Sequence, residues 1–258
     1  MVQIYKSFIV AKYTFRELIK SRILWNVVGL GGIISILTFV ATEFTFGVPQ
    51  RVALDLGLGA LSISSYGIAL LIGIGLIKKE VESRTIYLII SRPVSRVAFL
   101  AGKITGVSLF LVLNLSFLAL LTIGIVIFLG GTITPITLFA MLFTILEAIL
   151  LLMVVVFLSL VTNSAIALMG AVLALVAGHA ISETTKIVFV TSQPWLKNIV
   201  EVLNYLIPAF HRFNLKDYVL YQNTIEINQL MFVLAYWIFY VGGLFCFASI
   251  IINKKNMD

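Results

Sequence analysis

Long apolar runs alternate with short polar segments along the whole chain. An apolar run of about 20 residues is long enough to cross a bilayer as a helix, at a rise of about 1.5 Å per residue. The runs are continuous and do not alternate between apolar and polar positions, so they predict helices and not the strands of a barrel. We predict six spans, which cover residues 23–41, 56–77, 104–129, 136–161, 165–181 and 229–252.

Two of the connections between the predicted spans are short. The segment Gly130–Pro135 is rich in Gly, Thr and Pro, and such a composition is typical of a turn. The segment Thr162–Ser164 leaves almost no room between the fourth and fifth spans. We therefore expect each of these pairs of spans to form an antiparallel hairpin.

A longer loop, predicted to lie outside the cell, covers residues 182–228 between the fifth and sixth spans. Its segment 196–207 carries apolar residues at helical spacing between Pro194 and Pro208, which predicts an amphipathic helix. Such a helix can cap an exit path, contact a periplasmic or extracellular partner, or pack back on its own bundle.

The segment of residues 4–20 has apolar positions at helical spacing, with basic residues on the remaining positions. This pattern favours a helix that lies in the cytoplasmic interface and turns its basic face toward anionic headgroups. The alternative is a cytoplasmic extension of the first span.

Composition excludes a water-soluble globule. Of the 258 residues, 61% are hydrophobic and 11% are charged, and the mean hydropathy is +1.12. Soluble domains carry about 25% charged residues. We therefore predict an all-α membrane protein that forms one domain over residues 1–258.

The distribution of Lys and Arg predicts the orientation of the chain. Most of them lie before the first span, between the second and third spans, or after the sixth. Under the positive-inside rule, both termini are cytoplasmic. The net charge of +7 is therefore a signature of topology, and the chain has no basic stripe with interleaved aromatic residues that would indicate nucleic-acid binding.

A polar segment of residues 78–96 separates the second and third spans. It reads as a short helix that ends near Ser91, because Pro93 disfavours the helical conformation for the residue before it. The segment also carries several apolar side chains, and apolar residues in a cytoplasmic loop need a groove that buries them. A helix that docks into a partner explains this better than a solvated loop does.

The residues of this segment resemble the coupling helix of ABC-2-type transporter permeases. The resemblance depends on Glu82, Thr85, Arg92, Pro93, Arg96, Gly102 and Lys103. A second local likeness, over residues 206–215 with Pro208 and Asn214, is to one branch of that family. That branch includes permeases of nitrous-oxide-reductase maturation and of gliding motility. Many family members carry Gly where this chain has Arg84.

The resemblance implies a half-transporter of the inner (cytoplasmic) membrane that pairs with a second permease as a homodimer or heterodimer. It also implies a separate ABC ATPase subunit that binds the coupling helix. The residues implied to couple to that subunit are Glu80, Glu82, Arg84, Thr85, Tyr87, Arg92, Pro93 and Arg96.

The sequence is consistent with ATP being bound by a separate subunit and not by this chain. Its one Gly-Lys pair, Gly102-Lys103, lacks the upstream Gly and the following hydroxyl of a phosphate-binding loop. We therefore expect no catalytic residue, cofactor or metal in this chain, and we expect the partner ATPase to bind ATP and Mg²⁺.

Glu147 is the one acidic residue well within a predicted span. A carboxylate near the bilayer centre costs about 2.5–3.5 kcal/mol on insertion scales, so it should face the bundle or be protonated. One interpretation is a substrate contact or a gating hydrogen bond on the transport pathway, with Asn114 as a second polar residue there. The other is a structural bond to a neighbouring helix, through Asn114 or Ser116.

Gly170, Ala174 and Gly178 follow one another at four-residue spacing in the fifth span. Small residues on one stripe let two helix backbones approach closely. This stripe is either a contact within the chain or, as in similar permeases, a dimer interface. Near its end, His179 and Glu183 form an i,i+4 pair that suits capping or gating, since a metal site needs a third ligand.

Two other functions are weighed against the permease. A membrane-embedded enzyme needs a cluster of catalytic residues, and the sequence shows no such motif. An ion-coupled secondary transporter is expected to carry several intramembrane charges and duplicated halves, whereas this chain offers Glu147 and no internal repeat.

Overall fold

The computed structural model describes residues 2–21, 49–82, 95–184, 207–221 and 225–254, with isolated positions between 29 and 41 and between 195 and 202. For Val2 and residues 77–82 and 182–184 it describes only the backbone. The helices are α1 (Val2–Lys20), α2 (Pro49–Glu82), α3 (Arg96–Phe128), α4 (Pro135–Val161), α5 (Ser164–Thr184), α6 (Lys216–Leu220) and α7 (Ile227–Lys254). A single turn of 3-10 helix covers Phe210–Phe213. All the regular structure in the described residues is helical.

Five of these helices are long and apolar enough to cross a membrane. Their apolar lengths are Pro49–Leu76, Arg96–Phe128, Pro135–Val161, Ser164–Ile181 and Ile227–Lys254. They coincide with the second to sixth predicted spans, so a multi-pass helical membrane protein is confirmed. Of the first predicted span, residues 23–41, the structure describes only eight scattered positions, and the count of six spans stays a prediction.

The helices α2 and α3 are longer than predicted. Each continues into a polar flank, α2 back to Pro49 and α3 back to Arg96. Apolarity marks only the part of a helix that can lie in lipid, whereas the backbone hydrogen bonds continue beyond it. Ser95 caps the start of α3, because its hydroxyl accepts a hydrogen bond from the backbone N–H of Ala98 at 3.2 Å.

Both predicted hairpins are present. Gly130, with φ of 76°, makes the turn between α3 and α4, a backbone conformation that favours glycine. The next residue, Gly131, packs against Gln50 at the start of α2. At the opposite end, Thr162 and Asn163 join α4 to α5.

The bundle therefore has two distinct ends. We call the end where α3 and α5 begin and α7 finishes the basic end. We call the other the loop end, where α2 and α7 begin and residues 207–221 lie. At the basic end, Arg96 Nη1 donates a hydrogen bond to the carbonyl oxygen of Ile252 at 3.4 Å. A cation at the last turn of a helix also complements its dipole.

The amino-terminal helix α1 runs alongside the first turns of α3, in the same direction. Gly102 of α3 lies against the backbone of Ser7. Four residues further along both helices, Gly106 lies against the backbone of Ala11. The equal advance on both helices shows that they run side by side. Whether α1 lies in a membrane interface stays a prediction.

The apolar core centres on α4. In the most apolar window of α4, 72% of the residues are buried, against 6% for α7. The helices α2, α3, α5 and α7 all pack against α4. Most side chains in the middle of α4 therefore meet other helices and not lipid.

The α1–α3 contact gives a direct prediction. Gly106→Ala is expected to lower the free energy of unfolding by about 1–3 kcal/mol, because the added Cβ would lie 2.7 Å from Ala11 O and 2.8 Å from Thr14 Cβ. Gly124→Ala on the same helix is the matched control, since no atom lies within 4 Å of its added Cβ. Thermal unfolding in detergent measures both. Equal melting temperatures for the two variants would contradict the close packing.

Candidate functional site

Three polar side chains from three different helices meet inside the bundle. Tyr66 of α2 donates its hydroxyl to Glu147 Oε1 of α4 at 2.9 Å. His179 Nε2 of α5 lies 3.3 Å from the same oxygen and 3.5 Å from the Tyr66 hydroxyl. Glu147 is 2% exposed, so its carboxyl group has exchanged water for these two partners. We call these residues the polar cluster.

The hydrogen bonds define the tautomer of His179. Its Nδ1 lies 3.1 Å from the carbonyl oxygen of Leu175, one turn earlier in α5. A carbonyl can only accept, so Nδ1 carries a hydrogen. Nε2 then faces the Glu147 carboxyl group, and one proton placed between them gives either a neutral pair or an ion pair. In both arrangements the buried Oε1 of Glu147 has hydrogen-bond partners.

The polar cluster lies near the middle of the membrane-crossing part of the bundle. Glu147 is about 18 Å from Pro135 and about 21 Å from Val161, at a rise of about 1.5 Å per residue. Two turns beyond Tyr66 on α2, Gly73 packs against Val155, which lies two turns beyond Glu147 on α4. The spacing of this contact matches that of Tyr66 with Glu147, so α2 and α4 run in the same direction and keep one register.

The partners of Glu147 differ from those suggested by the sequence. They are Tyr66 and His179, and neither Asn114 nor Ser116 contacts the carboxylate through a hydrogen bond. Asn114 is fully buried, and its amide has no hydrogen-bond partner in the part of the chain that the structure describes. The side chain of Glu183, the other expected partner of His179, lies outside the described side chains.

The segment of residues 207–221 folds into the loop end of the bundle. It includes most of the segment 206–215 that carries the second local likeness. Phe210 and Phe213 are fully buried, and Phe213 contacts the ring of Phe143 on α4. The ring of Phe210 stacks on the imidazole of His179, with centroids 6.1 Å apart and planes 2° apart. This segment therefore covers the polar cluster from the loop end.

Hydrogen bonds and one ion pair fasten this covering segment to three helices. His211 Nδ1 donates to the carbonyl oxygen of Gly178 at 3.0 Å. The backbone N–H of Ala209 donates to the hydroxyl of Tyr236 on α7, also at 3.0 Å. Lys216 pairs with Asp55 of α2 at 2.7 Å. The predicted amphipathic helix of residues 196–207 falls almost entirely outside the described residues.

The three small residues of α5 lie in different surroundings. A Cβ on Gly178 would collide with the backbone of Pro208 and the ring of Phe210, so this glycine makes room for the covering segment. A Cβ on Gly170 would lie 3.2 Å from Leu158 of α4. Ala174 is half-buried and packs against the apolar core. The close approach at Gly178 is thus a contact within the chain, and the dimer interface stays a prediction.

Most of the residues expected to couple to an ATPase cannot be placed. Arg84, Thr85, Tyr87, Arg92 and Pro93 lie outside the described residues. Glu80 and Glu82 are described only as backbone of the last turn of α2. Arg96 is described, and it reaches the carboxyl end of α7 as given above. Within the described residues, no three His, Cys, Asp or Glu side chains are grouped closely enough to hold a metal ion.

Comparison with known proteins gives one family. The family model described as "ABC-2 family transporter protein" matches residues 8–249, which is nearly the whole chain. No curated protein matches the chain.

The bond between Tyr66 and Glu147 can be measured by a double-mutant cycle. Tyr66→Phe is expected to lower the free energy of unfolding by about 0.6–1.7 kcal/mol, the range for hydrogen bonds between membrane helices. Combined with Glu147→Leu, it should cost less than the sum of the single variants, because both remove one bond. Tyr221→Phe, at a 75% exposed position, is the control and should have no effect. Strict additivity would contradict the bond.

Proposed function

The chain belongs to the ABC-2 transporter family, and on this premise we propose that it is the permease subunit of an exporter driven by a separate ATPase. The observation that carries the proposal is the family match along most of the chain. The five apolar helices are consistent with it, because they provide the membrane part of a transporter. Within the family, the covering segment with Pro208 and Phe213 supports the branch of maturation and gliding permeases.

We propose that the basic end faces the cytoplasm and that the chain lies in the cytoplasmic membrane. Arg96 at the start of α3 and Lys254 at the end of α7 suit this orientation under the positive-inside rule. The connection between α2 and α3 leaves Glu82 and rejoins at Ser95, both of which lie at the basic end. A coupling helix in this connection would therefore be within reach of a cytoplasmic ATPase.

In this proposal the partner subunit binds ATP and Mg²⁺, and its conformational change moves the helices of the present chain. Arg96 lies directly after the connection and contacts the last turn of α7. A displacement of the start of α3 would thus be passed to α7 as well as to α1.

We propose that the polar cluster is a bond between helices that holds the loop end of the bundle closed, and not a substrate contact. Glu147 is 2% exposed, and its Oε1 is bonded within the chain. The cluster joins α2, α4 and α5, and the stacked Phe210 connects it to the covering segment at the loop end. Opening the loop end would therefore require these contacts to part.

We propose that α5 forms the dimer interface through its exposed apolar stripe. The stripe consists of positions that are more than half exposed at alternating spacings of three and four, namely Ile166, Met169, Leu173 and Val176. This spacing is the pattern by which two helices pack side by side. The partner is then a second copy of the chain or a related permease.

Coupling to the ATPase is tested by co-purification with the ATPase subunit expressed alongside the chain. Arg92→Glu and Glu82→Arg are each expected to reduce the recovered ATPase by about tenfold or more, because losing one partner of a buried interfacial charge pair costs about 2–5 kcal/mol and the reversed charge also repels the remaining partner. Arg51→Glu, exposed at the loop end, is the matched control and should leave recovery unchanged. Normal recovery with Arg92→Glu would contradict a coupling role.

Dimerisation through α5 is tested by cysteine cross-linking in membranes, in a Cys246→Ala background. Met169→Cys and Leu173→Cys are expected to give disulfide-linked dimers on mild oxidation, since a disulfide needs Cβ atoms about 3.5–4.5 Å apart. Phe239→Cys on α7, at an 80% exposed position, is the control for random collision. Cross-linking at Phe239 that equals or exceeds that at the stripe would place the interface elsewhere.

A further inference from the structure

A groove with a volume of about 500 Å³ opens at the loop end. It lies between the covering segment and the first turns of α7. Its exposed lining includes the amide side chains of Asn214, Asn228 and Gln229, together with the ring of Phe232. Its more buried lining includes the aliphatic side chains of Leu215, Leu230 and Val233, with His211, Tyr218 and Ile225 beside them. The groove is therefore amphipathic, with a polar mouth and an apolar wall.

Arg212 provides a fixed positive charge in this groove. Its guanidinium carbon lies 5.1 Å from the ring centroid of Tyr236 and 5.5 Å from that of Phe232. Aromatic faces hold a guanidinium by cation–π attraction but do not neutralise its charge. Lys216 in the same segment is paired with Asp55, whereas no carboxylate lies within ion-pair distance of Arg212 among the described residues.

The groove lies at the depth where phospholipid headgroups are found. The helix α7 has 28 residues and is therefore about 42 Å long, which matches a bilayer with both headgroup layers and exceeds the hydrocarbon core of about 30 Å. The groove residues Asn228 and Gln229 belong to its first turn, and Phe232 and Val233 follow one turn deeper. The polar mouth is thus in the headgroup layer, and the apolar wall reaches the acyl chains.

We propose that this groove binds an anionic phospholipid. The Arg212 guanidinium holds the phosphodiester, because its planar set of donors matches the oxygens of a phosphate. The amides of Asn228 and Gln229 bond to oxygens of the headgroup and glycerol. One acyl chain lies on Leu230 and Val233. The inference concerns a lipid site on one subunit and holds whether or not the chain exports a substrate.

The test is native mass spectrometry of the full chain, purified in detergent and titrated with phosphatidylglycerol. Arg212→Ala is expected to weaken retention of one lipid by about tenfold or more, since a charge-assisted hydrogen bond contributes about 1.5–3 kcal/mol. Arg212→Lys should recover part of that affinity. Arg51→Ala is the control, because it removes one exposed positive charge from the loop end at a residue that does not line the groove. Equal lipid retention by Arg212→Ala and the wild type would overturn the proposal.

A second variant covers the case in which Arg212→Ala fails to fold. Asn228→Asp lies at an exposed position and adds a negative charge to the mouth of the groove, so it should fold and bind phosphatidylglycerol more weakly than the wild type. Unchanged affinity in this variant would count against the site. A last arm adds excess glycerol phosphate as a soluble competitor. Full displacement of the lipid by that competitor would show a site for soluble phosphates and would overturn a lipid site.

Discussion

The buried carboxyl group of Glu147 constrains the arrangement of the bundle more than any apolar contact does. Apolar side chains can slide past one another at small cost, whereas a carboxyl group far from water needs hydrogen-bond partners in specific places. Tyr66 and His179 supply these partners from two other helices. The depth and rotation of α2, α4 and α5 are therefore fixed together at this level.

The covering segment depends on the same constraint. Phe210 can stack on His179 only because Glu147 and the carbonyl group of Leu175 hold the imidazole at both nitrogens. Gly178 then leaves the space through which the segment approaches α5. The loop end is thus assembled on the polar cluster, whereas the basic end is assembled on the glycines of α3. The two ends of the molecule use different interactions.

The five spans α2, α3, α4, α5 and α7 could be predicted because lipid allows only long apolar helices, and this requirement is visible in the sequence as long apolar runs. The importance of Glu147 was visible for the same reason. Its partners were not, because hydropathy does not tell how a helix is rotated about its axis. Tyr66 lies 81 residues away on another helix, in a run where a tyrosine gives no signal of its own. The role of Gly178 could not be predicted either, since the sequence does not show which segment packs against a given glycine.

The parallel packing of α1 on α3 has a mechanical consequence. Two helices in backbone contact at successive turns resist bending and slipping better than either does alone. They therefore form one rigid unit, which begins at Ser95, next to the connection from α2. A small tilt applied there would be amplified along the 33 residues of α3, up to the turn at Gly130 on the far side of the molecule.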